Sequence, residues 1–273
     1  MANKVVEALG NVYYSLLRRV IETSKLGRNC IEGFAETGYN FDHMYTANPQ
    51  GEGSFGRFVD KVLLNLPAAK ATRGRKETIK GLVKEVLSER QGMPITIVDL
   101  ASGPSRYLLE AVEEADINGD YHLSLVDRDS RSLQLAEQLA KEKNICCSLE
   151  FLQGDATDTR LLGRLKTPDL IIASGLYVYI PDDKQVEQSL RDISQIAAID
   201  GRLIVDNQIS NPSEKLMERL GKTTSGEAWK LAYRSEGRMK SIVSKYFSIM
   251  NSTIDQWNMY HIIMGENQNG RPN

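Results

Sequence analysis

Cysteine is scarce in this sequence: three among 273 residues, at Cys30, Cys146 and Cys147. An odd count with two of the three adjacent excludes a disulfide framework and a paired Cys-x-x-Cys zinc site, and it fits a reducing compartment. An excess of charge of one sign is also missing. Lys plus Arg is 34 and Asp plus Glu is 36, a net charge of −2, so binding of nucleic acid by phosphate neutralisation is not expected. The densest basic cluster, Lys70, Arg73, Arg75 and Lys76, reads as a solvated helix start. No window approaches the roughly 18 apolar residues of a membrane span. The opening MANKVVEALGNVYYSLLRRV has no long apolar core and no small-residue cleavage site, so a cytoplasmic location is expected. Histidine is limited to His43, His122 and His261. They are scattered, and neither a Ser-His-Asp arrangement nor a metal-ligand spacing is present, so no metal is expected. Internal repeats and low-complexity tracts are absent too.

What is present is a chain of globular composition, 41% hydrophobic and 26% charged, long enough for one large domain or one domain with an appendage. Its character changes near residue 92. Before that point, Val5, Val6, Leu9, Val12, Tyr13, Leu16, Leu17 and Val20 recur at helical spacing. Residues 38–57, GYNFDHMYTANPQGEGSFGR, read as a long glycine-rich loop, and 57–66 and 75–90 as further helices. The expected division is a helical lid over 1–91 and a sheet domain over 92–273.

From residue 95 strands and helices alternate. ITIVDL (95–100), YHLSLVD (121–127), SLEFLQGD (148–155), DLIIAS (169–174) and GRLIVDNQ (201–208) read as strands, with helices at 105–115, 130–142, 158–165 and 182–198. This rhythm predicts right-handed crossovers and a parallel sheet covered on both faces. After a helix near 235–245, FSIMNSTIDQ (247–256) and NMYHIIMGE (258–266) are joined too closely to be anything but antiparallel. The fold class is therefore α/β, Rossmann-like, with five parallel strands, a terminal antiparallel hairpin and an N-terminal helical region.

Ligands of open parallel sheets bind outside the carboxyl ends of the strands. The first strand ends in Asp99-Leu-Ala101-Ser-Gly103-Pro104-Ser105-Arg106, where small residues let a ligand approach the backbone. The second ends in Asp127-Arg128-Asp129. Asp127 is placed to accept hydrogen bonds from a ribose diol, and Asp129 reads as a helix N-cap. The third ends in Gly154-Asp155-Ala156 and the fourth in Ser174-Gly175-Leu176-Tyr177. A carboxylate at Asp155 can reach an adenine amino group.

These motifs resemble those of the class I S-adenosylmethionine-dependent methyltransferases. VDLASGPSR (98–106) resembles their glycine motif, with Ala101 and Ser105 in place of two glycines. Asp127 resembles their ribose acid, Asp155 their adenine-side acid, and PDLIIASGLYVYIPD (168–182) their post-strand-four segment. The resemblance covers about residues 92–266 and implies S-adenosylmethionine as cofactor. Asp99, Ala101, Gly103, Pro104, Asp127, Arg128, Asp155, Ala156, Ser174 and Gly175 would be its binding residues. Arg75, with Arg73 and Arg106 as alternatives, is a candidate for its carboxylate. SGLYVYIPDD, GRLIVDNQISNPSEKLME, Trp229-x-x-x-Tyr233-Arg234, ATRGRK and the 38–57 segment together look like a bacterial methyltransferase group assigned to making 3-hydroxy fatty acid methyl esters, which implies a carboxylate acceptor.

Amino-methylating DNA enzymes carry Asn/Asp-Pro-Pro-aromatic after the fourth strand, and SGLYVY is not that. Cytosine C5 enzymes need a nucleophilic cysteine there, whereas Cys146 and Cys147 begin the third strand and read as buried structural residues. The expected acceptor is thus a small molecule. Its pocket would be lined by Tyr39, Phe41, His43 and Tyr45 from the lid, and by Tyr177, Tyr179, Asn207, Trp229, Tyr233 and Arg234 from the sheet domain, with Arg234 a carboxylate clamp. N- or phenol O-methylation, a nicotinamide-dependent oxidoreductase and a non-catalytic binding module are the other readings. The oxidoreductase lacks two of the three glycines of Gly-x-Gly-x-x-Gly.

Overall fold

The structure, a computed structural model, describes residues 2–115 and 120–269, with side chains from residue 10 onward. The side chains of Val5, Val6 and Leu9 lie outside the described residues. The elements in chain order are α1 (Ala2–Ile21), α2 (Lys25–Ile31), α3 (Gly38–Thr46), α4 (Gly53–Leu64), α5 (Pro67–Glu89), β1 (Ile95–Leu100), α6 (Arg106–Ala115), β2 (Tyr121–Asp127), α7 (Ser130–Glu142), β3 (Ser148–Gln153), α8 (Thr159–Leu162), β4 (Leu170–Ala173), a 3-10 turn (Tyr177–Tyr179), α9 (Asp183–Ile196), β5 (Arg202–Gln208), α10 (Glu214–Leu220), α11 (Glu236–Val243), β6 (Phe247–Ile254) and β7 (Tyr260–Asn267). They form two compact units, one of Met1–Arg73 and Asn211–Lys230, the other of Gly74–Ser210 and Leu231–Asn273. The boundary expected at residue 92 falls instead inside α5. From Gly74 onward that helix buries Ile79, Val83, Val86 and Leu87 in the core of the sheet unit.

In the sheet unit, seven strands run in the order β3-β2-β1-β4-β5-β7-β6. All pairs from β3 to β5 are parallel, and β7 is antiparallel to both of its neighbours. Successive residues point to opposite faces. Ile97, Leu123, Leu125, Leu170, Ile172 and Ile204 join one core with α5, α6 and α7. Val98, Leu100, Val126, Ile171, Ala173 and Val205 join another with α8, α9 and α11. Both faces are covered, which is why these strands read as continuous apolar runs. The edge strands β3 and β6 are the least buried.

The helical unit differs from expectation over residues 38–57, where α3 and the start of α4 replace the long loop. Thr37 caps α3 by accepting from the Asn40 N–H, and Ala47 ends it in the left-handed conformation at φ 49°. Gly51 and Gly56 serve close packing. A Cβ on Gly56 would lie 2.3 Å from the Thr23 carbonyl oxygen, so no other residue fits without a backbone shift. The buried Asp60 ties the unit together. Its carboxylate accepts from the Leu26 and Gln50 N–H groups and from His43 Nε2, each at 2.8 Å. Burial pushes the Asp60 pKa up, but these hydrogen bonds together outweigh burial and leave it below the ordinary carboxylate value.

Candidate functional site

The loop after β1 holds three left-handed residues at alternate positions: Ala101 at φ 53°, Gly103 at 54° and Ser105 at 51°. Two of them have a Cβ, at a cost of roughly 1–2 kcal/mol each, so the surroundings hold the loop in this shape. Asp99 is fully buried and accepts hydrogen bonds from Ser105 Oγ and from Tyr107 Oη, the latter at 2.8 Å. Burial pushes its pKa up to about 7, against those two bonds, and the nearby charge of Asp127 adds to the rise. The expectation that Asp99 binds the cofactor is corrected: its carboxyl is committed to Ser105 and Tyr107 and fixes the loop.

Asp127, at the end of β2, accepts from the Gly103 N–H at 2.7 Å and from the Asp129 N–H at 2.8 Å, one bond to each oxygen. Each carboxylate oxygen has room for a further hydrogen bond, which is what a vicinal diol requires. Burial raises the Asp127 pKa, opposed by these backbone bonds. Asp129 is the N-cap of α7 and accepts from the Arg131 N–H. Beyond β3, Asp155 Oδ1 accepts from both the N–H and the hydroxyl of Thr157. Its other oxygen lies 3.6 Å from Arg128 Nε. Burial works to raise the Asp155 pKa, but the Thr157 bonds and Arg128 lower it overall. Gly154 faces the Leu161 side chain and Ala156 is buried. Pro104 is buried in the β1 loop.

At β4 the organising residue is one that the strand-end motifs do not single out, Asp206 of β5. Its carboxylate accepts from Ser174 Oγ at 3.0 Å and from the Gly175 N–H at 2.7 Å, and it pairs with Arg75 Nη1 at 3.0 Å. Gly175 has φ 71° and would place a Cβ 3.3 Å from Arg75 Nη1, so glycine suits that turn. The Arg75 guanidinium also stacks over the Tyr260 ring at 4.8 Å. Arg75 and Lys76 are buried. The expected solvated cluster is corrected there: one cation pairs with Asp206, the other with Glu77 and Glu110. Extending the reading of strand ends to the DN of β5 is the signal that points to Asp206.

Several acceptor-side expectations are also corrected. Tyr177 is fully buried, with its hydroxyl against Ser189 Oγ at 3.2 Å. Arg234 is buried, and its guanidinium donates to Asp183 at 2.7 Å and to the carbonyls of Tyr177 and Ile180. It is a brace for the segment after β4 rather than an open clamp. His43 is buried on Asp60. Trp229 packs on Gly221 inside the helical unit, which a Cβ at 221 would approach to 3.1 Å. Asn207 donates to the Arg234 carbonyl at 2.6 Å and keeps Oδ1 buried with no hydrogen-bond partner among the described residues. Tyr39, Tyr45, Tyr179 and Tyr233 are part-buried, and Lys25 Nζ stands over the Tyr39 ring at 5.3 Å. Cys146 is exposed and Cys147 part-buried, and both precede β3 rather than lying in it. Among the described residues no helix is long and apolar enough to cross a membrane, and no group of three or more His, Cys, Asp or Glu could hold a metal ion.

Comparison with known proteins follows the same line. The model of a family described as "Putative methyltransferase" matches residues 2–267. A curated relative, the uncharacterized protein YnbC of Escherichia coli strain K12, is 31% identical over 236 residues. That match covers 84% of this chain, which spans 40% of the relative's length. Among solved structures, a possible exported protein of Bordetella parapertussis has a TM-score of 0.70 at 18% identity, covering 91% of this chain and 85% of that one. The magnesium protoporphyrin IX methyltransferase of Synechocystis PCC 6803, solved with bound SAH, has a TM-score of 0.57 at 15% identity, covering 84% and 94%. Strand order, the β1 loop and the acids at β2 and β3 fit S-adenosylmethionine as cofactor. By its family model this chain belongs to the family described as putative methyltransferase, and its fold is the one that the magnesium protoporphyrin IX methyltransferase also has.

Proposed function

We propose that the chain methylates a carboxylate oxygen of a small-molecule acid. The supporting observation is the segment after β4. Ser174 and Gly175 are tied to Asp206, Asp206 is ion-paired with Arg75, and Tyr177 lies in the core. Neither Ser174 nor Tyr177, whose hydroxyls are bonded to Asp206 and Ser189, is placed to act as a base there. An acceptor that is already ionised at neutral pH needs none, and carboxylic acids are the common class with that property. Bound S-adenosylmethionine supplies an electrophilic methyl group on sulfur. Asp127 would hold the ribose and Asp155 the adenine, with the β1 loop enclosing the remainder. The protein's part is alignment and exclusion of water.

The solved magnesium protoporphyrin IX methyltransferase and an O-methyltransferase family protein of Burkholderia thailandensis, the latter at TM-score 0.55 and 14% identity, share the fold alone. Within the acids, 3-hydroxy fatty acids are the first to test, because the resemblance of SGLYVYIPDD and GRLIVDNQISNPSEKLME singles them out. Purified chain, methyl-labelled S-adenosylmethionine and a panel of 3-hydroxy fatty acids, other carboxylic acids, phenols and amines decide the matter. The expected product is a base-labile methyl ester, identified by mass spectrometry. Label transferred only to amines or phenols would overturn the reading.

A further inference from the structure

The helical unit carries a surface that the methyl-transfer reading does not use. Residues Val12, Tyr13, Leu16 and Val20 of α1 are 41–61% exposed, and Phe55, Phe58 and Val62 of α4 are 47–63% exposed. The two helices border an apolar groove of about 600 Å³, closed on its third side by Pro212, Lys215 and Leu216. Isolated exposed apolar side chains are ordinary, but a contiguous set on two packed helices marks an interaction site. At 100° per residue, Val12, Leu16, Val20 and Tyr13 share one stripe of α1, and Phe55, Phe58 and Val62 share one of α4.

The charges beside these stripes indicate the occupant. Arg19 falls next to Val12 on the helical wheel, and Lys61 next to Phe58, with Arg57 beyond it. Arg19, Arg57 and Lys61 are exposed and form no ion pair with any described residue. Lys215 lines the groove, and Arg219, one turn on, donates to Asn11 and stacks over the Tyr14 ring at 5.2 Å. Of the neighbouring acids, Glu22 is paired with Arg18 and Glu52 with Arg28, and Glu214 and Glu218 fall on the side of α10 away from Leu216. A chain of net charge −2 thus gathers cations around this apolar surface. A second copy docked by two-fold symmetry would bring like charges together. An anionic lipid surface would not. Aromatic and aliphatic side chains flanked by Lys and Arg suit the boundary between headgroups and acyl chains.

We propose that the α1–α4 face of the helical unit is a peripheral docking surface for anionic phospholipid bilayers. The apolar stripes enter the headgroup boundary, and Arg19, Lys61 and Lys215 meet lipid phosphates. The test is co-sedimentation of the full chain with vesicles of equal parts phosphatidylglycerol and phosphatidylcholine, against vesicles of phosphatidylcholine alone. Binding to the first and not the second is expected, weakening as salt is raised. The Phe55→Ser/Phe58→Ser and Arg19→Gln/Lys61→Gln variants alter exposed side chains only, and their folding is checked by circular dichroism melts. Each should lower vesicle partitioning by about tenfold or more, with S-adenosylmethionine affinity unchanged. Absence of binding to anionic vesicles, or undiminished binding by both variants, overturns the proposal. So does a solution dimer, seen by light scattering, that Phe55→Ser/Phe58→Ser dissociates while vesicles go unbound, because the occupant is then a second copy.

Discussion

Asp206 Oδ2 lies 3.0 Å from Arg75 Nη1, with 4% and 5% of the two side chains exposed. This buried pair reaches two elements at once, because the same carboxylate also fastens Ser174 and Gly175. Breaking a buried pair from one side leaves an uncompensated charge and typically costs about 3–5 kcal/mol. Arg75→Met and Asp206→Leu should each destabilise the protein on that scale in urea unfolding. The double variant should lose less than the two single losses added together. Strict additivity would show that the residues do not act as a pair.

Asp127 should dominate cofactor affinity. A hydrogen bond to a charged group contributes about 1.5–3 kcal/mol, so Asp127→Ala should weaken S-adenosylmethionine by roughly 10–100-fold in calorimetry. Asp155→Ala should weaken it less, because Asp155 would hold only the neutral amino group of the adenine. Equal affinity of Asp127→Ala and wild type would remove Asp127 from the site.

Asp99 gives the native state a distinctive pH dependence. Its pKa is pushed up to about 7 by burial, from an unfolded value of 3.8. The native state therefore holds a proton that the unfolded chain releases. The stability this contributes is complete below the unfolded value and is lost as pH rises through about 7. Melting temperature, measured for wild type minus Asp99→Asn, should fall between about pH 4 and pH 7 and level off above. A flat difference would place the Asp99 pKa in the ordinary range.

Asp60 has the opposite sign. Its pKa lies below the ordinary value, so its contribution is present above the unfolded pKa and is lost as pH falls through the folded one. Asp60→Ala strands the N–H groups of Leu26 and Gln50 and the ring of His43, and should cost about 2–5 kcal/mol. If His43 served an acceptor instead, His43→Ala would change the Michaelis constant while leaving the melting temperature alone.

What is readable in the sequence is what repeats or ends a strand. The inner parallel strands stand out because both sheet faces are covered, which turns each into an apolar run. Asp127, Asp129 and Asp155 stand out because they follow those runs directly. The rest depends on distant partners. Nothing near Asp206 signals that Arg75 will reach it. Arg234 looks like an open cation until Asp183 and two carbonyls fill its guanidinium. In Tyr177-Val-Tyr179 one aromatic enters the core and the other does not, a choice the local pattern leaves open. The glycines of 38–57 suggest a moving loop because composition cannot distinguish a hinge from a place where two backbones nearly touch, as at Gly56 and Thr23.

The helical unit takes its last piece, Asn211–Lys230, from beyond all five parallel strands. On the ribosome, its first 73 residues therefore emerge long before the segment that completes them. At about 5–20 residues per second the wait is roughly seven to thirty seconds, during which α1 and α4 have no α10 beside them. The nascent chain consequently carries this apolar face before Pro212, Lys215 and Leu216 are there to border it. Cells depleted of ribosome-associated chaperones should lose this protein to aggregation sooner than a chain whose helical portion is contiguous in sequence.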